Sequence, residues 1–280
     1  MKRFNLCILS GFLAASVASG ATVALYEFDG SGTAAVGSGI TDSVGGHHGT
    51  VEGGALLYGM DPIVGSYLRF DADGGVGGLG NRVVIPGHSD FLFNSTQGYT
   101  IEAIFRTTQT GTGTNGVIFS KGADVSNPDS QWWVRHQGTG QLRGTIEGAP
   151  SGVEDIATST TATSSTLVND GAWHSVALVY DGVSATKSLS LYIDGIFRIA
   201  DTTIGTSGVI GGADTDPVVF GEFYSLVGNR SFAGDIAAVR FSNVALPAGG
   251  LMVVPEPSSL VLAFISGVLA LAGRRETHSR

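Results

Sequence analysis

Between residue 22 and the 240s, apolar residues recur at every second position in runs of four to seven residues, and this period constrains the fold more than any other feature. The runs are 22–28, 67–70, 82–85, 99–105, 175–180 and 189–193, each bounded by Gly, Asp, Asn or Pro. A period of two puts alternate side chains on opposite faces of a strand, so each run has one face to bury. Outside the two chain ends, no window of about twelve residues keeps the 3.6-residue apolar period of a helix. The expectation is an all-β, two-sheet antiparallel sandwich. Asp194-Gly195, between Ile193 and Ile196, is a two-residue hairpin turn, since both positions tolerate positive φ. There is no internal repeat. Residues 158–166, rich in Thr and Ser, read as a surface loop, and 74–80, rich in Gly but lacking lysine, read as a flexible one.

Charge narrows the partners. The formal balance is −9 over 280 residues, and residues 22–254 hold 10 basic against 22 acidic side chains, a balance of −12. A chain this acidic has no basic field with which to neutralise phosphates, so nucleic acid is excluded as an evident partner. The single cysteine, Cys7, lies in the first apolar run. The chain beyond it has no thiol for disulfides, CxxC zinc sites or a cysteine nucleophile.

Both ends read as membrane signals. Met1-Lys2-Arg3, an apolar stretch from Phe4 to Val17 and the small residues Ala18-Ser19-Gly20-Ala21 have the layout of a secretory signal over 1–21, with cleavage after Ala21; an uncleaved anchor is the alternative, and secretion follows from either. Residues 258–273 carry no charge and are closed by Arg274-Arg275. This is a short membrane helix whose arginines stay on the cytoplasmic side, leaving the preceding domain outside; a buried core helix is the alternative. Before it stands Val254-Pro255-Glu256-Pro257-Ser258, with prolines that hold an extended peptide. Triplet, apolar helix and basic tail, in this order, resemble a PEP-CTERM sorting signal. The resemblance implies recognition and cleavage near Pro255, Glu256 and Pro257 by an exosortase, in a bacterium that makes extracellular polysaccharide. The membrane anchor is then transient. The expected layout is a signal peptide at 1–21, a domain at 22–247 and a sorting segment at 248–280, divided into 255–257, 258–273 and 274–280.

Seven stretches in order also resemble the laminin-G-like group of the concanavalin A-like lectin/glucanase jelly rolls. They are Leu25 to Gly30, Asp42 to Gly49, Tyr67 to Asp71, Tyr99 to Ala103, Gly171 to Asp181, Leu189 to Gly195 and Gly234 to Arg240. The resemblance implies a jelly-roll sandwich whose closing strand, within 231–247, returns beside 23–28. One departure is the pair Ala237-Ala238, where the group usually has an acidic pair.

Glucanase relatives place their two carboxylates on one strand as Glu-x-Asp-x-x-Glu, and no such run exists here: Glu102 stands alone, with Ile104 and Arg106 at the next positions on its face. His174 reads as a structural histidine bonded to backbone, and His47-His48 as a polar turn, because adjacent residues seldom reach one ion. Asp29, Asp42 and Asp235 are the candidate calcium ligands if the first and last strands meet, and Asx turns are the alternative. Trp132-Trp133 is the candidate sugar contact, since adjacent strand residues cannot share one core and one ring faces outward or lines a groove. The alternative packs that ring under a loop. The expectation is an exported, non-catalytic surface or matrix protein that binds extracellular polysaccharide or another glycoconjugate, with calcium as a candidate cofactor. A carbohydrate-active enzyme with unusual carboxylates and a purely structural envelope protein are the competing readings.

Overall fold

The computed structural model describes residues 22–72, 80–111, 115–122, 132–148, 152–157, 167–202, 209–210, 215–224 and 230–255. The signal sequence, Glu256, Pro257, the apolar segment 258–273, Arg274 and Arg275 lie outside the described residues. Among those described, no helix is long and apolar enough to cross a membrane.

Two antiparallel sheets face each other. Among the described residues the first has nine strands in the order Ile196–Asp201, Ser188–Ile193, His174–Asp181, Gly98–Arg106, Gly234–Ser242, Gly65–Phe70, Leu56–Asp61 and Thr33–Ala34, with Thr22–Glu27 also paired to Gly234–Ser242. The second has ten among the described residues: Gly39–Ile40, Gly49–Glu52, Arg82–Ile85, Val218–Phe220, Asn115–Lys121, Trp132–Gln137, Leu142–Gly148, Val209–Ile210 and Phe93–Asn94, with Gly152–Ala157 paired to Leu142–Gly148. The returning strand is where the sequence put it, with Glu27 opposite Ala238 and Thr22 opposite Ser242. Asp194 and Gly195 take φ of 55° and 71°, the doubly positive pair of a tight hairpin turn.

The period-two pattern becomes the core directly. Along Ser188–Ile193 the buried residues alternate as Leu189, Leu191 and Ile193. Between the sheets, aromatic rings meet edge to face, with Tyr26 to Phe220 at 5.1 Å and Phe91 to Phe241 at 5.2 Å. Such contacts add about 1 kcal/mol each beyond the area they bury.

Gly98–Arg106 breaks the alternation, being buried on both faces as far as Phe105. Tyr99, Ile101, Ala103 and Phe105 point into the core. The other face is covered by the strap at 246–254, part of which the sequence reading assigned to the sorting segment. Leu246 and Leu251 cluster with Ala177 and Val179, while Met252 and Val254 cluster with Tyr67, Ile104, Trp173 and Ala237. A larger side chain at Ala237 would push into that cover, a local reason for alanine where the related group carries an acid.

Candidate functional site

The outer face of the second sheet carries an arginine cluster. Trp132–Gln137 sends Trp132, Val134 and His136 one way and Trp133 and Arg135 the other, by simple alternation. Trp132 is wholly buried in the core, 5.5 Å from Phe241, and its indole N–H donates to the Phe91 carbonyl. Trp133 faces away from the core yet is only 4 % exposed. It packs edge to face on Phe223 at 6.2 Å, and the guanidinium carbons of Arg135 and Arg143 lie 4.5 and 5.7 Å from its ring centroid. Arg230 lies 5.7 Å from the Phe223 ring. The expected bare stacking platform is therefore corrected: one ring does leave the core, but it is roofed by arginine instead of open to a sugar face.

Arg143 stands directly across the hairpin from Arg135. The cluster is strained electrostatically. Burial, and after it the charges of Arg143 and Arg230, lower the Arg135 guanidinium to about 10. Burial and Arg230 lower Arg143 as well. Arg135 Nε and Arg230 Nη1 are buried and have no hydrogen-bond partner among the described residues. Like charges brought together out of water attract an anion.

The three aspartates chosen for calcium are not brought together. Asp42 accepts four backbone N–H groups, from Leu25, Val44, Gly45 and His47, at 2.9 to 3.0 Å. Burial opposes its charge, but these donors outweigh burial and hold its carboxyl below the usual range. Asp235 pairs across its strand with Arg69 on one neighbour and Arg106 on the other, and both its oxygens are taken by their guanidiniums at 2.7 to 3.1 Å. Asp29 is exposed on the wall of a separate pocket. Two of the three carboxylates thus hold the fold, and among the described residues the one grouping of three metal-donor side chains is elsewhere, at His47, His88 and Asp90.

Glu102 is fully buried under the strap. Arg240 Nε reaches one oxygen at 2.6 Å and the Met252 N–H the other at 2.6 Å. Burial raises its carboxyl despite these partners. His174 bonds carboxylates instead of backbone: Nδ1 lies 2.9 Å from Asp194 and Nε2 3.2 Å from Asp170. Burial opposes its charge, yet the two acids raise it overall.

Sequence reasoning missed the arginines. Trp133-x-Arg135 was a legible signal of a shared face, but Arg143 needed the hairpin register and Arg230 comes from a distant segment.

The concanavalin A-like lectin/glucanases superfamily model matches residues 77–249, more than half of the chain, and the protein belongs to that superfamily. The PEP-CTERM protein-sorting motif matches residues 253–276, marking an exported protein that is sorted to the cell envelope through exosortase processing. No curated protein matches the sequence significantly. Among solved structures, the chain resembles the binding domain of Paraclostridial Mosquitocidal Protein 1, at TM-score 0.60 and 15 % identity, over 82 % of this chain and 51 % of that one. It resembles the Botulinum neurotoxin type G receptor-binding domain at TM-score 0.54 and 13 % identity, over 82 % and 49 %. The chain thus spans about half the length of each toxin fragment. Domain 4 of a GH43 extracellular arabinanase from Geobacillus stearothermophilus, solved with arabinotriose, matches at TM-score 0.54 and 17 % identity, over 82 % and 96 %. At these identities the likeness speaks for the fold.

Proposed function

We propose that the protein is an exported, non-catalytic module that binds an acidic extracellular polysaccharide across the outer face of its second sheet. The observation that carries this reading is the arginine cluster: three of the ten basic residues of an otherwise acidic body meet at one place around Trp133 and Phe223. Carboxylate or sulfate groups spaced along a sugar chain are the ligands guanidiniums accept; Arg135 is only 8 % exposed, so such a group meets the cluster at its half-buried members, Arg143 and Arg230. The aromatic rings beneath fix the guanidinium planes and are not themselves the sugar contact. The arabinanase domain captured with arabinotriose and the toxin binding domains support a recognition role for this fold. The burial of Glu102 and its double engagement support the reading without catalysis. After export the apolar segment holds the protein at the membrane until an exosortase acts at Pro255-Glu256-Pro257.

The test is retention of the full-length protein on an immobilised acidic polysaccharide, on the same polymer with its carboxyl groups reduced to alcohols, and on a neutral glucan. Saturable retention on the acidic polymer alone, weakened by salt and with no reducing ends released, is the expected result. Equal retention on all three defeats the charge-based site, and steady release of reducing ends makes the protein an enzyme.

A further inference from the structure

A second constellation lies where the segment 42–48 meets the short 3-10 turn Ser89–Phe91. His47 Nε2 is 2.9 Å from Asp90 Oδ2, His88 Nδ1 is 3.4 Å from that same oxygen, and one donor atom of each residue lies within 4.8 Å of the others. Donors bound to a tetrahedral zinc at about 2.0 to 2.1 Å sit about 3.3 Å apart, so the observed spacing needs only small shifts to accept an ion.

The fold holds these side chains in place. Asp42 fixes the backbone of Val44, Gly45 and His47, and the Tyr26 hydroxyl donates to the His47 carbonyl at 2.6 Å. Gly45 is required here: a Cβ would come within 2.1 Å of the Val23 carbonyl oxygen and 2.7 Å of the His47 ring. The His47 ring rests against fully buried Phe91, centroids 5.0 Å apart. His88 caps the 3-10 turn by accepting the Asp90 N–H through Nδ1, so an ion bound through that nitrogen takes its lone pair from the cap, and one bound through Nε2 leaves the cap in place. His48 is turned aside and accepts the Asp42 N–H. The histidine pair is therefore His47 with His88, and not the adjacent pair in the sequence. Side-chain exposure is 11 % at His47 against 49 % at His88 and 47 % at Asp90, a buried foot with an open mouth.

We propose that His47, His88 and Asp90 form a binding site for a divalent transition-metal ion of the zinc class, with a fourth position open to water or to a donor from a partner. Two imidazole nitrogens and one carboxylate oxygen suit such an ion, whereas calcium wants six to eight oxygens. The bound ion clips the segment 42–48 to the turn at 88–91. This site is independent of the arginine face.

The experiment follows thermal unfolding of the tag-free full-length protein with zinc chloride, and visible absorption with cobalt chloride as the spectroscopic substitute. Two variants accompany it. His88→Ser removes the imidazole but keeps an oxygen able to cap the turn, and Asp90→Asn removes the charge. The expected result is a melting temperature that rises with zinc concentration, since an ion bound only to the folded state stabilises it. A tetrahedral cobalt spectrum should accompany it, and in both variants the apparent affinity should fall at least tenfold while metal-free stability is kept. No shift at about 1 mM zinc overturns the proposal, as does a shift that both variants retain or one given equally by calcium.

Discussion

Arg240→Ala should destabilise the protein by about 3–5 kcal/mol, because it leaves the buried Glu102 carboxylate without its counter-charge. The cost arises from position. Glu102 is 0 % exposed, on a strand covered on both faces, and Arg240 binds both its carboxylate and the Gly250 carbonyl of the strap, at 2.6 and 2.7 Å. Without the guanidinium, either the carboxyl takes up a proton or the strap opens to admit water. For a body of this size the loss corresponds to a fall in melting temperature on the order of 10 °C. The double replacement Glu102→Gln with Arg240→Met should recover most of the loss, since removing both charges also removes the desolvation cost. Chemical denaturation of the two single variants and the double variant measures this. A cost below about 1 kcal/mol for Arg240→Ala would mean that the pair is solvated and the strap is not part of the packed body.

The arginine cluster should respond in the opposite sense. Replacing Arg135 and Arg230 together by Gln should weaken binding to an acidic polysaccharide by about 100-fold, since each charge-assisted hydrogen bond contributes about 1.5 kcal/mol or more. Stability should hold or rise slightly, because the substitutions relieve repulsion among three guanidiniums and remove buried donors that lack partners. Glutamine removes the guanidinium carbons that lie 4.5 Å from the Trp133 centroid and 5.7 Å from that of Phe223, and keeps a polar side chain at each position. Calorimetric titration of the ligand together with thermal unfolding separates the two effects. Lost stability with unchanged affinity would make the arginines structural and empty the proposed site.

The chain disclosed its fold because each strand has one face to bury, and a period of two records that face locally. Where a second layer lies on top, the record is incomplete. By alternation Thr100, Glu102 and Ile104 share the face of Gly98–Arg106 opposite the core, yet the strap covers them, and nothing near them in sequence announces a cover arriving from residues 246–254. The aspartates show a related limit. Asp42 was legible as a turn residue, but four backbone donors converge on it only once the first strand lies alongside. Asp235 was legible as acidic, but its two arginines stand opposite it through strand pairings with residues 166 and 129 positions away in sequence. Trp132 and Trp133 lie on opposite faces of their strand, as alternation requires, and both are buried. The arginines above Trp133 come from a register and a distant segment that alternation alone does not reveal.

Hydrogen exchange of the full-length protein, with and without a saturating acidic polysaccharide, tests the location of the binding face most directly. Added protection should concentrate on Trp132–Gln137, on Leu142–Gly148 and around Phe223 and Arg230. Protection confined to the first sheet or to the loop at 42–48, with the arginine strands unchanged, would contradict the account.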